Sequence, residues 1–218
     1  MTREEVIKEI QNKKIMIVVR GIYNDELLRL ATALQAGGVK CFEITYDPTD
    51  PNTLSTIKNN IQMLEEHFHD KLLLGVGTVL TPEQVKNAKE AGAKFIVSPN
   101  FNEDVVKTTI AEGLVSIPGC MTPTEICAAD ECGADFIKLF PAGTLGIKYC
   151  KDIFAPLHHV RYLATVGVTE ETFEEYLKIG FAGAGISSQL IDKKLRDAGN
   201  YEELTRRAKR FVEIANRY

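Results

Sequence analysis

Two hydrophobic rhythms alternate along the chain. Short apolar runs of strand length occur at Ile15–Val19, Cys41–Thr45, Leu72–Leu74, Phe95–Val97, Val115–Ile117, Phe136–Leu139, Arg161–Ala164 and Ala182–Gly185. The segments between them place apolar residues at helical spacing, as in Leu27, Leu28, Leu30, Ala31 and Leu34. Start and stop signals bracket these segments. Thr81-Pro82-Glu83, with Gln84 behind it, reads as an N-cap followed by proline in the first turn. Ala36-Gly37-Gly38, Ala91-Gly92-Ala93, Glu112-Gly113, Cys132-Gly133-Ala134 and Ile179-Gly180 read as helix ends. The strand-to-strand interval is roughly 20–30 residues, the size of one βα unit.

Eight strands, each followed by a helix, predict a closed parallel (β/α)8 TIM barrel. A doubly wound open sheet shares the alternation, and the strand count and chain length favour the barrel. Thr2–Gln11 is expected to be an extra N-terminal helix covering the barrel's bottom, and Tyr201–Asn216 a final helix. No Pro/Ser-rich linker divides the chain, so residues 1–218 are read as one domain.

The 218 residues are 44% hydrophobic and 26% charged, the balance of a globular core with a solvated surface. A formal net charge of -4 with interspersed charges gives no footprint for nucleic acid, and Trp is absent. No apolar stretch approaches the roughly 20 residues that cross a bilayer. The acidic start Met-Thr-Arg-Glu-Glu is unlike a signal or transit peptide, so a cytoplasmic location is expected. Cys41, Cys120, Cys127, Cys132 and Cys150 form no CxxC pair and read as reduced packing residues. Cys127 and Cys132 alone do not supply the paired spacings of a zinc site. His67, His69, His158 and His159 lie in helical or loop stretches with polar surroundings.

Barrels keep their chemistry at the C-terminal ends of the strands. In Phe136-Ile137-Lys138-Leu139-Phe140-Pro141 a period of two puts Phe136, Lys138 and Phe140 on one face and the branched aliphatics on the other. The aliphatics suit the face under the helices, so Lys138 points into the barrel. An amine desolvated among aromatic rings favours its neutral, nucleophilic form, which suits attack on a ketone. The same parity in Cys41-Phe42-Glu43-Ile44-Thr45 turns Glu43 inward, either as an ion-pair partner or as a general acid/base. Arg20, followed by Gly21, falls at the rim of the first strand, where a guanidinium can hold a carboxylate or pair with Glu43. Gly75-Val76-Gly77-Thr78 combines glycines that let backbone approach a ligand with a rim hydroxyl; it lacks the third glycine of a dinucleotide fingerprint. Thr165-Val166-Gly167-Val168 and Gly183-Ala184-Gly185-Ile186-Ser187-Ser188 follow the last two strands, where barrels often bind phosphate.

These segments, with Val18-Val19-Arg20-Gly21-Ile22, Val97-Ser98-Pro99-Asn100 and Pro118-Gly119-Cys120-Met121-Thr122-Pro123-Thr124-Glu125, resemble the aldolases of 2-keto-3-deoxy-6-phosphogluconate and 4-hydroxy-2-oxoglutarate, including the 6-phosphogalactonate branch. The resemblance runs from about Ile15 to the final helix. It implies a cofactor-free homotrimer of barrels acting on a small keto acid, with Lys138 as the Schiff-base lysine and Glu43 as the general acid/base. It implies that Arg20 and Thr78 hold the pyruvate carboxylate. It also counts Pro99, Phe140, Gly167, Gly185, Ser187 and Ser188 among the substrate-binding residues. Three positions depart from the family pattern. Tyr46-Asp47 stands where some members carry an Arg, Val166 replaces a glycine, and so does Ser187. The expected function is therefore a class I carbon–carbon lyase releasing pyruvate and an aldehyde. The rivals are a phosphate-binding barrel isomerase or synthase without a covalent intermediate, and a catalytically silent sugar-acid-binding barrel.

Overall fold

A computed structural model describes residues 1–218. Nine strands and ten α-helices alternate along the chain. They are α1 (Arg3–Lys13), β1 (Ile15–Val19), α2 (Asn24–Ala36), β2 (Cys41–Thr45), α3 (Thr53–Phe68), β3 (Leu73–Gly77), α4 (Pro82–Ala91), β4 (Phe95–Val97), α5 (Glu103–Ala111) and β5 (Val115–Ile117). There follow β6 (Gly119–Cys120), α6 (Pro123–Glu131), β7 (Ile137–Leu139), α7 (Ala142–Phe154), β8 (Tyr162–Thr165), α8 (Glu170–Ile179), β9 (Gly183–Ile186), α9 (Lys193–Asp197) and α10 (Tyr201–Ala215).

The caps follow the expected chemistry. Thr81 accepts from the Gln84 N–H and the Gln84 side chain answers, with Pro82 in the first turn; Thr122 and Glu125 repeat the arrangement before α6. Gly92 and Gly180 end α4 and α8 in the left-handed conformation, at φ 101° and 114°.

All strand pairs are parallel, in the order β5-β4-β3-β2-β1-β9-β8-β7-β6. The two ends of this series, β5 and β6, are separated in the chain by Pro118 alone. The Pro118 carbonyl accepts from Lys138 N–H and the Ser116 carbonyl from Phe136 N–H, so the sheet curls into a nearly closed barrel. The sequence predicts one strand at this place and the structure has two short ones. A proline has no N–H to give to a ladder, and pairing breaks there.

Two apolar layers result from the alternation. Ile17, Val19, Phe42, Ile44, Ile137, Leu139 and Ala184 point outward into the core under the helices. Met16, Cys41, Leu73, Phe95, Val115, Phe136 and Leu163 point inward and fill the lower barrel. Val6 and Ile10 of α1 join this inner cluster. Arg3 of α1 also pairs with the buried Asp135, at 2.8 Å, and Asp135 accepts the Ser116 N–H at 2.9 Å.

Gly75 makes room for this interior packing: a Cβ built on it would overlap the Phe95 ring. Gly75→Ala is expected to cost about 1–3 kcal/mol, the range for overpacking a full core. A chain of this size melts about 2–4 °C lower per kcal/mol. Thermal melts of the single variant and of Gly75→Ala with Phe95→Leu check this, the second change restoring most of the loss.

Candidate active site

Strand alternation delivers the chemistry to one end of the barrel. On β1 the inward parity of Met16 continues through Val18 to Arg20 at the rim. On β2 it runs from Cys41 through Glu43 to Thr45, and on β7 from Phe136 to Lys138. Residues of β1, β7, β8 and β9 and their loops line a cavity of about 310 Å³. That is the lower end of the range for small-molecule sites.

Of the residues singled out from sequence, Arg20, Lys138, Phe140, Gly167, Gly185, Ser187 and Ser188 line this cavity together. Lys138 is 7% exposed, and its Nζ lies 5.2 Å from the centroid of the Phe140 ring. Thr78 is tied in through Arg20, whose Nη2 donates to the Thr78 Oγ1 at 3.0 Å. Glu43 is 1% exposed and does not line the cavity. Pro99 also stays outside the lining, with its carbonyl against the backbone of Gly119. Val18, Thr165 and Val168 line the cavity without having been named as site residues. Val18 and Thr165 could have been found by carrying the inward parity of Met16 and Leu163 one step further.

Burial raises the Glu43 carboxyl above its ordinary value, and the positive charges of Lys138 and Arg20 pull it part of the way back. Neither carboxylate oxygen has a hydrogen-bond partner. Gly77 is the reason the side chain fits, because any Cβ there would overlap the Glu43 Oε1.

Tyr46 and Asp47 take no part. Tyr46 points outward and is fully buried, and its hydroxyl donates to Asn87 Oδ1 at 2.8 Å on α4. Asp47 accepts from the backbone and side chain of Thr49, which lowers its carboxyl. Arg20 is therefore the one guanidinium in the cavity lining. At the far end, Val166 adopts φ 74° and is 46% exposed. A β-branched residue in this region is strained, by roughly 1–2 kcal/mol. Its carbonyl accepts from Gly143 N–H at 3.0 Å, and Gly143 has no space for a Cβ because the Val166–Gly167 backbone lies against it. No group of three or more His, Cys, Asp or Glu side chains is placed to hold a metal ion.

A parallel barrel with a buried amine and a buried carboxyl under its C-terminal mouth has the layout of a barrel-enzyme active site. Comparison with known proteins places it more closely. The family model for KDPG and KHG aldolase matches residues 6–207. The 2-dehydro-3-deoxy-6-phosphogalactonate aldolase of Escherichia coli (strain K12) is 33% identical over 200 residues, 91% of this chain and 93% of its own. The 2-dehydro-3-deoxy-phosphogluconate aldolase of Haemophilus influenzae is 30% identical over 214 residues, 98% of each chain. Among solved structures, the KDPG aldolase of Legionella pneumophila, with pyruvate captured as a covalent carbinolamine intermediate, superposes with a TM-score of 0.82 at 26% identity. That match covers 94% of this chain and 96% of the other. The chain belongs to the KDPG and KHG aldolase family, whose members are carbon–carbon lyases.

The raised Glu43 carboxyl gives a stability prediction. The folded protein favours the protonated acid, so that part of its stability is complete below the ordinary carboxylate range. It is lost as the pH rises through the raised folded value. Glu43→Gln, which imitates the neutral acid, should match the wild type near about pH 4 and melt increasingly higher than it toward neutral pH. Melting temperatures of both proteins across that range are the check.

Proposed function

We propose that the chain is a class I aldolase that reversibly cleaves 2-keto-3-deoxy-6-phosphogluconate, 4-hydroxy-2-oxoglutarate or both, giving pyruvate and an aldehyde. The single observation that carries the reading is Lys138, a buried amine opening onto a cavity of small-acid size, with the Glu43 carboxyl buried beside it. The Lys138 amine adds to the C2 ketone and loses water to give an iminium. The C3–C4 bond breaks with its electron pair drawn into the iminium, leaving an enamine of pyruvate. Glu43, directly or through water, takes the C4 hydroxyl proton as the aldehyde leaves and later returns a proton to C3 of the enamine. Hydrolysis then frees pyruvate and the amine. The iminium serves as the electron sink, so this reading assigns no cofactor.

Arg20, which donates to Thr78, is the cation for the substrate carboxylate, with Phe140 flanking the ketone end. Gly167, Gly185, Ser187 and Ser188 receive the distal group. The same reading treats β5 and β6 as one strand bent at Pro118, giving a (β/α)8 barrel over residues 1–218 with α1 as an added N-terminal helix. It takes the working form to be a cytoplasmic homotrimer in carbohydrate metabolism.

A second reading, preference for the phosphogalactonate epimer, is favoured by the site's dependence on Arg20 alone, since Tyr46 is committed to α4. A substrate panel of both epimers, with and without phosphate, decides between them.

Borohydride reduction in the presence of pyruvate should add one reduced pyruvyl group to the wild type and none to Lys138→Ala, read by intact mass. An adduct at full yield in Lys138→Ala would overturn the assignment. No adduct on the wild type would favour a noncovalent isomerase or synthase. In the same assay Glu43→Gln should still form the adduct. Exchange of pyruvate methyl protons with solvent should fall by roughly 10²–10⁴-fold.

The glycine departures carry a further expectation. Val166 and Ser187 crowd backbone that would otherwise approach a phosphate, so selectivity for the phosphorylated substrate should be weak. Val166→Gly combined with Ser187→Gly should raise kcat/KM on the phosphorylated keto acid and leave 4-hydroxy-2-oxoglutarate little changed, measured as steady-state pyruvate release. A wild type already selective by several orders of magnitude, with no gain in the variant, would show that the pocket accommodates both side chains.

A further inference from the structure

The only buried side-chain nitrogen or oxygen atoms in the protein without a hydrogen-bond partner are three: Glu43 Oε1, Glu43 Oε2 and Thr45 Oγ1. They belong to two residues on the same inward face of β2. Other buried side-chain nitrogen and oxygen atoms have partners, as is usual, so three orphans in one place mark a location where a ligand or water completes the bonding.

The backbone puts them at one level of the barrel. Glu43 pairs in register with Gly75, and Thr45 with Gly77. The Glu43 Oε1 nevertheless crowds Gly77 rather than Gly75. The side chain therefore leans toward the mouth by two residues and brings its carboxyl beside the row that carries Thr45. Thr45 is 0% exposed, and its hydroxyl can donate one hydrogen bond and accept two.

The charged groups facing Glu43 are Lys138 from β7 and Arg20 from the end of β1. β3 offers glycines here, and the Tyr23 hydroxyl reaches the Thr45 carbonyl at 3.4 Å from outside. Thr45 is thus the neutral donor on this row.

We propose that Thr45 is a positioning residue for proton transfer, its hydroxyl donating to a water that it shares with the Glu43 carboxylate and with the substrate's C4 oxygen. In cleavage the water takes the C4 hydroxyl proton and passes its own to Glu43. In the return step the Glu43 acid gives a proton to the water, which delivers one to C3 of the enamine. Protons balance, and the water emerges unchanged. A donor from Thr45 fixes which lone pair of the water faces the substrate. This inference rests on the aldolase reading and adds to it a residue that touches the reaction only through the water.

The test uses Thr45→Val, which keeps the shape and removes the hydroxyl, and Thr45→Ser, which keeps the hydroxyl. Two rates are followed across pH for each: borohydride trapping of pyruvate on Lys138, and exchange of pyruvate methyl protons with deuterium from solvent. In Thr45→Val the adduct should still form while exchange falls roughly 10–100-fold, below the full loss of an acid/base group. Its pH midpoint should move upward, because the water that donates to the ionised carboxylate has lost the Thr45 donor that holds it in place. Thr45→Ser should recover exchange to within about threefold of wild type and restore the midpoint.

Exchange at the wild-type rate and midpoint in Thr45→Val overturns the proposal. Equal slowing in Val and Ser also overturns it, because it assigns the effect to packing. A Thr45→Val protein that fails to fold leaves Thr45→Ser to decide, and a Ser variant with wild-type trapping but lost exchange counts against the hydroxyl. Absence of a trapped adduct on the wild type would instead overturn the aldolase reading itself.

Discussion

Taking a carboxyl out of water without giving its oxygens a partner is the constraint on which the rest of this molecule turns. A parallel barrel is suited to imposing it. Inward positions are walled by neighbouring strands, and the one break in the ladder, at Pro118, is bridged by hydrogen bonds from Phe136 N–H and Lys138 N–H. The lower interior is filled by Met16, Cys41, Leu73, Phe95, Phe136 and Leu163, so Glu43 and Lys138 rest on an apolar floor. Space at their level is made by removal of side chains. Gly77 leaves a gap that the Glu43 carboxyl occupies, and Gly75 leaves one for Phe95 below. The result is a carboxyl raised above its ordinary value by burial and drawn part of the way back by Lys138 and Arg20. In the proposed reaction this carboxyl is the group that takes and returns the proton.

The mouth above this pair is polar in an uneven way. One side holds a charge, Arg20, which donates to the hydroxyl of Thr78 at 3.0 Å. The other side is backbone and short hydroxyls, with Val166 held in a left-handed conformation against the first turn of α7. In the proposed reading the substrate's carboxylate meets the Arg20 guanidinium. The substrate's distal end meets a surface shaped by main chain more than by charge.

Much of this was legible in the sequence because strand parity is a rigid rule. Once Phe136, Lys138 and Phe140 are put on one face, Lys138 has nowhere to point but inward, and the cavity lining agrees. Helix starts were equally readable, since Thr81 and Thr122 advertise their caps locally. The break at Pro118 was less so, because its effect depends on which neighbour the missing N–H would have served. The seat of Glu43 beneath the cavity rather than in its wall was also hidden. It depends on a glycine two residues along the adjacent strand, a relation that exists only after register is set. Val18 and Thr165 were within reach of the same parity argument. As apolar and hydroxyl residues inside longer motifs, they carry no charge or nucleophile to single them out as site residues.

The seam at Pro118 divides the barrel into two consecutive arcs, β1 to β5 and β6 to β9, joined covalently at the proline and by hydrogen bonds between β1 and β9. The chemistry is split along the same line. In the proposed reading the first arc carries the acid/base Glu43 and the carboxylate contacts Arg20 and Thr78, and the second carries the amine of Lys138 and the distal loops with Gly167 and Ser188. Neither arc holds a working centre. On the proposed roles, the half synthesised first would hold an acid/base and a clamp with no nucleophile. A complete centre on this reading requires the second arc docked along β1.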